Sequence, residues 1–128
     1  MKDNHAGIPK DMYKEHILEL YKSPSNLGTI KNPTYEYTEQ NSICGDEITI
    51  QLLTKGGKVQ DAKFSGSGCV ISIVASSMLM GKLKGMTLEE INKLTQKDML
   101  DLLKIKVTPA RIKCALLPLE AVKNAIKE

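Results

Sequence analysis

The chain has no tryptophan and a single phenylalanine, Phe64, so its core must rest on Ile, Leu, Val and Met. It has no apolar run of the roughly 18 residues that a membrane span needs. The longest, Cys69 to Met80, is broken by Ser72, Ser76 and Ser77. Met1–Lys10 is polar and has no apolar signal core. It is read as a flexible N-terminus ahead of one domain over residues 11–128. Blocks of like charge are missing as well. The net charge of +3 comes from 18 basic and 15 acidic residues, with lysines scattered and no aromatic–basic interleaving. That pattern argues against nucleic acid or a membrane as partner. The cysteine count, three, is odd and contains no CxxC pair. A secreted disulfide framework needs an even and usually larger number, so free thiols in a reducing, cytoplasmic setting are expected. Only two histidines occur, His5 in the polar N-terminus and His16 in a helical stretch. Neither is placed for a Ser-His-Asp or Cys-His catalytic pair.

What is present fits one modest globular domain of 128 residues, 41% hydrophobic, with a mean hydropathy of −0.21. Residues 11–22 have helical periodicity, with Tyr13, Ile17, Leu20 and Tyr21 on one face and His16 off it. Ser23-Pro24-Ser25-Asn26 ends that helix, and Gly28 and Pro33 keep the connection irregular. Tyr35–Tyr37 is a short strand candidate. Glu47–Leu53 alternates, with Ile48, Ile50 and Leu52 on one side, and Val59–Phe64 returns after the turn Lys55-Gly56-Gly57-Lys58. Gly66-Ser67-Gly68 ends that strand as a flexible approach, and Cys69 opens a helix to about Leu83. Its apolar stripe is Ile71, Val74, Ala75, Met78 and Leu79, and its small residues allow close packing. Thr87-Leu88-Glu89-Glu90 is a capping box, repeated by Thr95 and Asp98 before a helix near 96–104. Pro109–Cys114 reads as a loop, and Pro118 as the first turn of a last helix carrying Leu119, Val122 and Ile126. The order is helix, strands, helices: an α+β fold with an antiparallel sheet of about three strands.

Cys44-Gly45-Asp46, Gly68-Cys69 and Lys113-Cys114 are the residues placed for chemistry. Three thiolates and a carboxylate make one four-coordinate site for zinc or for iron with sulfide. Gly45 lets the chain turn so that Cys44 and Asp46 aim at one point. Cys69 at a helix start, and Cys114 beside Arg111 and Lys113, stand where positive charge favours thiolate. Each cysteine alone also has a plain reading as a buried small residue. Together they sit at junctions of loop and element.

These residues resemble the U-type iron–sulfur cluster assembly family: IscU, SufU and the N-terminal domain of NifU. The resemblance runs from Tyr13-Lys14-Glu15-His16-Ile17 and Ser23-Pro24-Ser25-Asn26-Leu27-Gly28 to the last helix. It is carried by Cys44-Gly45-Asp46, by Gly66-Ser67-Gly68-Cys69 with Ile71-Ser72 and Ala75-Ser76-Ser77, and by Cys114. It implies a three-stranded antiparallel sheet packed by about five helices, and Cys44, Asp46, Cys69 and Cys114 as site residues. Two departures stand out. Lys113 occupies the position where IscU-like members carry His. Val107–Lys113 replaces the Leu-Pro-Pro-Val-Lys segment that docks a dedicated chaperone in IscU. Arg111-Ile112-Lys113-Cys114 is similar to SufU, yet the 45-residue step from Cys69 to Cys114 leaves no room for the SufU insertion.

By resemblance, the chain is a scaffold. A cysteine desulfurase delivers persulfide sulfur to Cys114 or Cys69, and a labile [2Fe–2S] cluster assembles on the three Cys and Asp46. Carrier or apo iron–sulfur proteins then receive it. The protein would be a monomer or a cluster-dependent homodimer. The alternative is a SufU-like sulfurtransferase holding Zn²⁺ in the same ligands. There Cys114 is released as persulfide acceptor, and Arg111 pairs with Asp46 or steers the partner. Whether the protein counts as an enzyme depends on which of the two holds. A third reading is a small structural zinc module.

Overall fold

The computed structural model describes residues 14–42 and 45–127. The expected flexible N-terminus, His5, Tyr13 and Cys44 lie outside the described residues. The elements are α1 (Glu15–Lys22), β1 (Tyr35–Asn41), β2 (Asp46–Lys55), β3 (Lys58–Ser67), α2 (Val70–Leu83), α3 (Leu88–Asn92), α4 (Gln96–Leu103) and α5 (Ile112–Lys127). A 3₁₀ turn, Pro109–Arg111, leads into α5. None of the described helices is long and apolar enough to cross a membrane.

The sheet is an antiparallel meander in the order β1-β2-β3. Strand alternation sorts its two faces. Ile48, Ile50 and Leu52 of β2 are fully buried, as are Ala62 and Phe64 of β3. On the opposite face β1 and β2 carry a polar ladder. Gln51 donates to Glu36, Thr38 bonds Thr49, and Gln40 donates to Glu47. That polar composition is why β1 extends well beyond Tyr35–Tyr37: its register comes from β2, not from its own hydrophobicity. The hairpin turn has Gly56 and Gly57 at φ of 63° and 80°, as the paired glycines require. The pairing register shifts by one residue between Leu53 and Thr54. This bulge lets Val59 share the core face with Ala62 and Phe64, which strict alternation would forbid.

Helices α2 and α5 pack against one another and cover the apolar face, α2 over β3 and α5 over β1 and β2. Helix α2 is buried nearly all round, beyond the expected stripe. Ser72, Ser76 and Ser77 are buried, whereas Met78 is only half-buried. The serines are satisfied: Ser76 Oγ donates to the Ser72 carbonyl at 2.8 Å and Ser77 Oγ to the Ser25 carbonyl at 2.8 Å. The irregular segment after α1 docks on the β3 edge, where Phe64 N–H donates to Asn26 O and Gly28 N–H to Phe64 O. His16 has a structural part, its Nε2 lying 3.0 Å from the Leu103 carbonyl at the end of α4. Both expected capping boxes form, Thr87 with Glu90 and Thr95 with Asp98.

Two expectations are corrected. Residues 109–114 are not a loop: the 3₁₀ turn and the first turn of α5 are helical, and Cys114 is the third residue of α5. Pro118 is not in the first turn but inside the helix, and it is buried. Pro109 takes the helix-starting position instead. An interior proline costs about 3 kcal/mol because it lacks an N–H and crowds the preceding turn. Burial of Leu116, Leu117, Pro118 and Leu119 against the sheet and α2 offsets that cost.

Candidate metal centre

Three chain segments meet at one end of the sheet. Asp46 is the first residue of β2, paired across the sheet with Asn41 at the end of β1. Gly45 N–H donates to the Asn41 carbonyl at 2.7 Å, and Gly45 has φ of 76°, the left-handed conformation its lack of a Cβ permits.

Cys69 is the N-cap of α2, in extended conformation at φ −75° and ψ 173°. Its carbonyl accepts from Ile73 N–H at 3.1 Å and from Ser72 Oγ at 3.1 Å. The approach to it is not flexible, as Gly66-Ser67-Gly68 suggested. β3 runs on through Ser67, and Gly66, at φ of 131°, lies hard against the Glu47 carbonyl. A Cβ there would collide with β2 backbone, so the glycine is needed for strand contact.

Cys114 comes from the first turn of α5. It is fully buried, whereas Cys69 is half-buried. Neither is in a disulfide.

The fold brings Asp46, Cys69 and Cys114 together: one carboxylate oxygen and the two sulfurs all lie within 4.8 Å of one another. Asp46 is 4% exposed, and its Oδ2 has no hydrogen-bond partner among the described residues. A buried carboxylate oxygen without a donor is unfavourable by itself. With the two thiols, the Asp46 carboxylate makes a soft–hard donor set of the kind that could hold a divalent cation. In a tetrahedral zinc–thiolate site, with bonds of about 2.3 Å, ligand sulfurs stand about 3.8 Å apart. The group is thus of the size that one metal ion needs. Cys44, the fourth expected donor, lies outside the described residues, two residues along the chain from Asp46.

Around this group, Arg111 is half-buried at the end of the 3₁₀ turn and Lys113 is exposed. Lys113 lines an open polar cleft of about 250 Å³ with Gln40, Asn41, Ser42, Leu117 and Glu120. Partial burial raises the Glu120 carboxyl, Glu39 on β1 raises it further, and Lys113 opposes both. The sequence singled out neither Glu39 nor Glu120. They meet only because β1 packs on α5, where Asn124 also donates to Glu39 at 2.8 Å.

The NifU-like N terminal domain family matches residues 12–128. Among similar proteins is the iron–sulfur cluster assembly scaffold protein IscU of Thermotoga maritima, 35% identical over 93% of this chain and 95% of that protein. Another is the zinc-dependent sulfurtransferase SufU of Bacillus subtilis, 32% identical over 90% of this chain and 89% of that one. Among solved structures, a protein of Fervidobacterium islandicum AW-1 described as a cluster assembly scaffold for the SUF system superposes with a TM-score of 0.79. It is 30% identical and covers 90% of this chain and 96% of its own. The N-terminal NifU-like protein of Brucella abortus, at 23% identity and TM-score 0.76, shares the fold. With the whole folded region matched in sequence and in architecture, the chain belongs to the NifU-like N-terminal domain family, the U-type family of iron–sulfur cluster assembly proteins.

Proposed function

We propose that the protein is an iron–sulfur cluster assembly scaffold whose ligands are Cys44, Asp46, Cys69 and Cys114. The observation that carries this is the buried, unpartnered Asp46 Oδ2 beside two thiols that three separate segments bring together. Iron and sulfide are the cargo. The mononuclear size of the group suits entry of one ferrous ion before the second.

Sulfur arrives as a persulfide on a cysteine desulfurase. The acceptor thiolate attacks its outer sulfur. A new S–S bond forms as the old one breaks, and the desulfurase departs as thiolate with no net redox change. Cys69, half-exposed, is reached first; buried Cys114 is reached when the first turn of α5 gives way. Conversion of each persulfide sulfur to sulfide takes two electrons from an external dithiol, which leaves as a disulfide. A [2Fe–2S] cluster on three thiolates and one carboxylate has a weak oxygen corner, since a hard ligand holds a soft centre loosely. That corner makes hand-over to carrier or apo-proteins fast. The reading places the protein in the reducing cytoplasm, as a monomer or a cluster-bridged dimer.

A second reading is a zinc-dependent sulfurtransferase using the same four residues. The one-ion size of the ligand group and the similarity to the Bacillus subtilis SufU favour it. Zn²⁺ bound there would hold the thiols as thiolates until a desulfurase displaces one of them.

Anaerobic purification followed by iron, zinc and acid-labile sulfide analysis separates the two. The scaffold takes up iron and sulfide in equal amounts when supplied with desulfurase, cysteine, dithiol and Fe²⁺. Tightly held zinc, with no iron or sulfide taken up, would sink it. In the scaffold, Asp46→Ala slows cluster transfer to an apo-ferredoxin about tenfold or more. An unchanged transfer rate removes Asp46 from that role.

A further inference from the structure

Gly68 immediately precedes Cys69, and its glycine is not explained by backbone conformation. Gly28, Gly45, Gly56, Gly57, Gly66 and Gly85 all have positive φ, whereas Gly68 lies in the ordinary range open to any residue. What is unusual at Gly68 is space. A Cβ built there would overlap Ser72 Oγ and lie 3.1 Å from Asp46 Cγ and 3.2 Å from Asp46 Oδ1. Among the described glycines of ordinary φ the other is Gly81, whose Cβ would make only an everyday contact at 3.5 Å.

We propose that Gly68 and Ser72 form a seat that holds the Asp46 carboxylate in the ligand group, the missing side chain at 68 leaving room for the Ser72 hydroxyl and, close beside it, the carboxylate. This rests on the metal-binding reading of that group.

The two walls of the seat differ in stiffness. Ser72 is fully buried in the first turn of α2, and its hydroxyl is tied to the Cys69 carbonyl at 3.1 Å. Its own carbonyl accepts from Ser76 Oγ at 2.8 Å. Its hydroxyl cannot swing away without giving up the bond to the Cys69 carbonyl. Asp46 Oδ2 has no hydrogen-bond partner among the described residues, so the carboxylate is the more weakly held wall. A methyl group at 68 therefore drives the carboxylate away from Cys69 and Cys114. Gly68 and Ser72 are positioning residues. They act on the metal through Asp46, as groups behind metal ligands commonly do, at a typical cost of 10–100-fold in affinity when changed.

The test loads metal-free protein with Co²⁺ under anaerobic conditions. Thiolate-to-cobalt charge-transfer intensity counts sulfur ligands, the d–d bands report an oxygen ligand, and Zn²⁺ affinity is read by chelator competition. Gly68→Ala is expected to keep the thiolate bands, to shift the d–d bands to those of Asp46→Ala, and to lose about 10–100-fold in Zn²⁺ affinity. Removing the overlapping hydroxyl in Gly68→Ala/Ser72→Ala is expected to return the oxygen-ligand bands and about tenfold of that affinity. This double variant also serves if Gly68→Ala does not fold. Wild-type spectrum and affinity in Gly68→Ala would overturn the seat. So would a folded double variant indistinguishable from Asp46→Ala. If wild-type protein gives no thiolate–cobalt bands at all, the metal-binding reading fails and the seat falls with it.

Discussion

Helices α2 and α5 lie side by side on the same face of the sheet, and each brings a cysteine to the same point from its N-terminal end. They do it by opposite means. In α2 the cysteine is the N-cap, outside the first turn and half-exposed, and the helix behind it is buried almost all round with the hydroxyls of its three serines all hydrogen-bonded. In α5 the cysteine is inside the first turn and fully buried. Four residues later Pro118 has no N–H to donate to the Cys114 carbonyl, so the regular helical bond at that step is missing. The first arrangement is rigid scaffold with an accessible thiol. The second is a hidden thiol on a turn with one backbone tie fewer.

The sharpest way to break this comparison is chemical. In metal-free Cys44→Ser protein, iodoacetamide should alkylate Cys69 at least tenfold faster than Cys114, with equal rates in denaturant, as peptide mass spectrometry reads. Equal native rates would mean that the burial difference does not hold in solution. Next in size is the packing of α2. Ser76→Val puts two methyl groups where a fully buried, bonded hydroxyl now sits, and should cost about 1–3 kcal/mol in urea unfolding. A neutral result would show α2 less tightly held than its burial indicates.

Pro118→Ala should act on the weaker side of the comparison. It restores a helical donor to the Cys114 carbonyl, and should stabilise the protein by about 1 kcal/mol. That is part of the roughly 3 kcal/mol an interior proline costs, the rest going with the lost ring contacts. It should also slow Cys114 alkylation. Faster alkylation would mean that the proline holds the turn in place.

The smallest effect is expected at the cleft rim. Burial, then Glu39, keeps the folded-state pKa of Glu120 above its unfolded value, with Lys113 opposing. A carboxyl raised in this way contributes stability fully present below its unfolded pKa and lost as pH rises through the folded one. Glu120→Gln should therefore be slightly more stable than wild type at pH 7, with the gap closing as pH falls below about 4. A gap that widens in acid would reverse the assignment.

Much of this fold is local and so was legible residue by residue. The Gly56-Gly57 turn, the Thr87 and Thr95 capping boxes and the buried side of β2 each depend on a few neighbouring residues. The features that were not legible depend on distant partners. β1 runs on past Tyr37 through a polar sequence because β2 pairs with it. Val59 faces inward because of a bulge defined by two strands. The helical stretch at 109–114 was masked by Pro118, whose cost is met only by burial against other elements.

The candidate site divides in the same way. By itself the sequence determined which donors are available, three thiols and Asp46, because ligand chemistry belongs to residue type. It also determined that Gly45 would turn the chain, since positive φ is a local property. Only the tertiary structure decided that Asp46, Cys69 and Cys114 converge within 4.8 Å, and that one thiol is open while another is covered. It alone revealed that Gly68 is a space rather than a hinge. Exposure and close approach are relations between segments far apart in the chain, and packing alone brings those segments together.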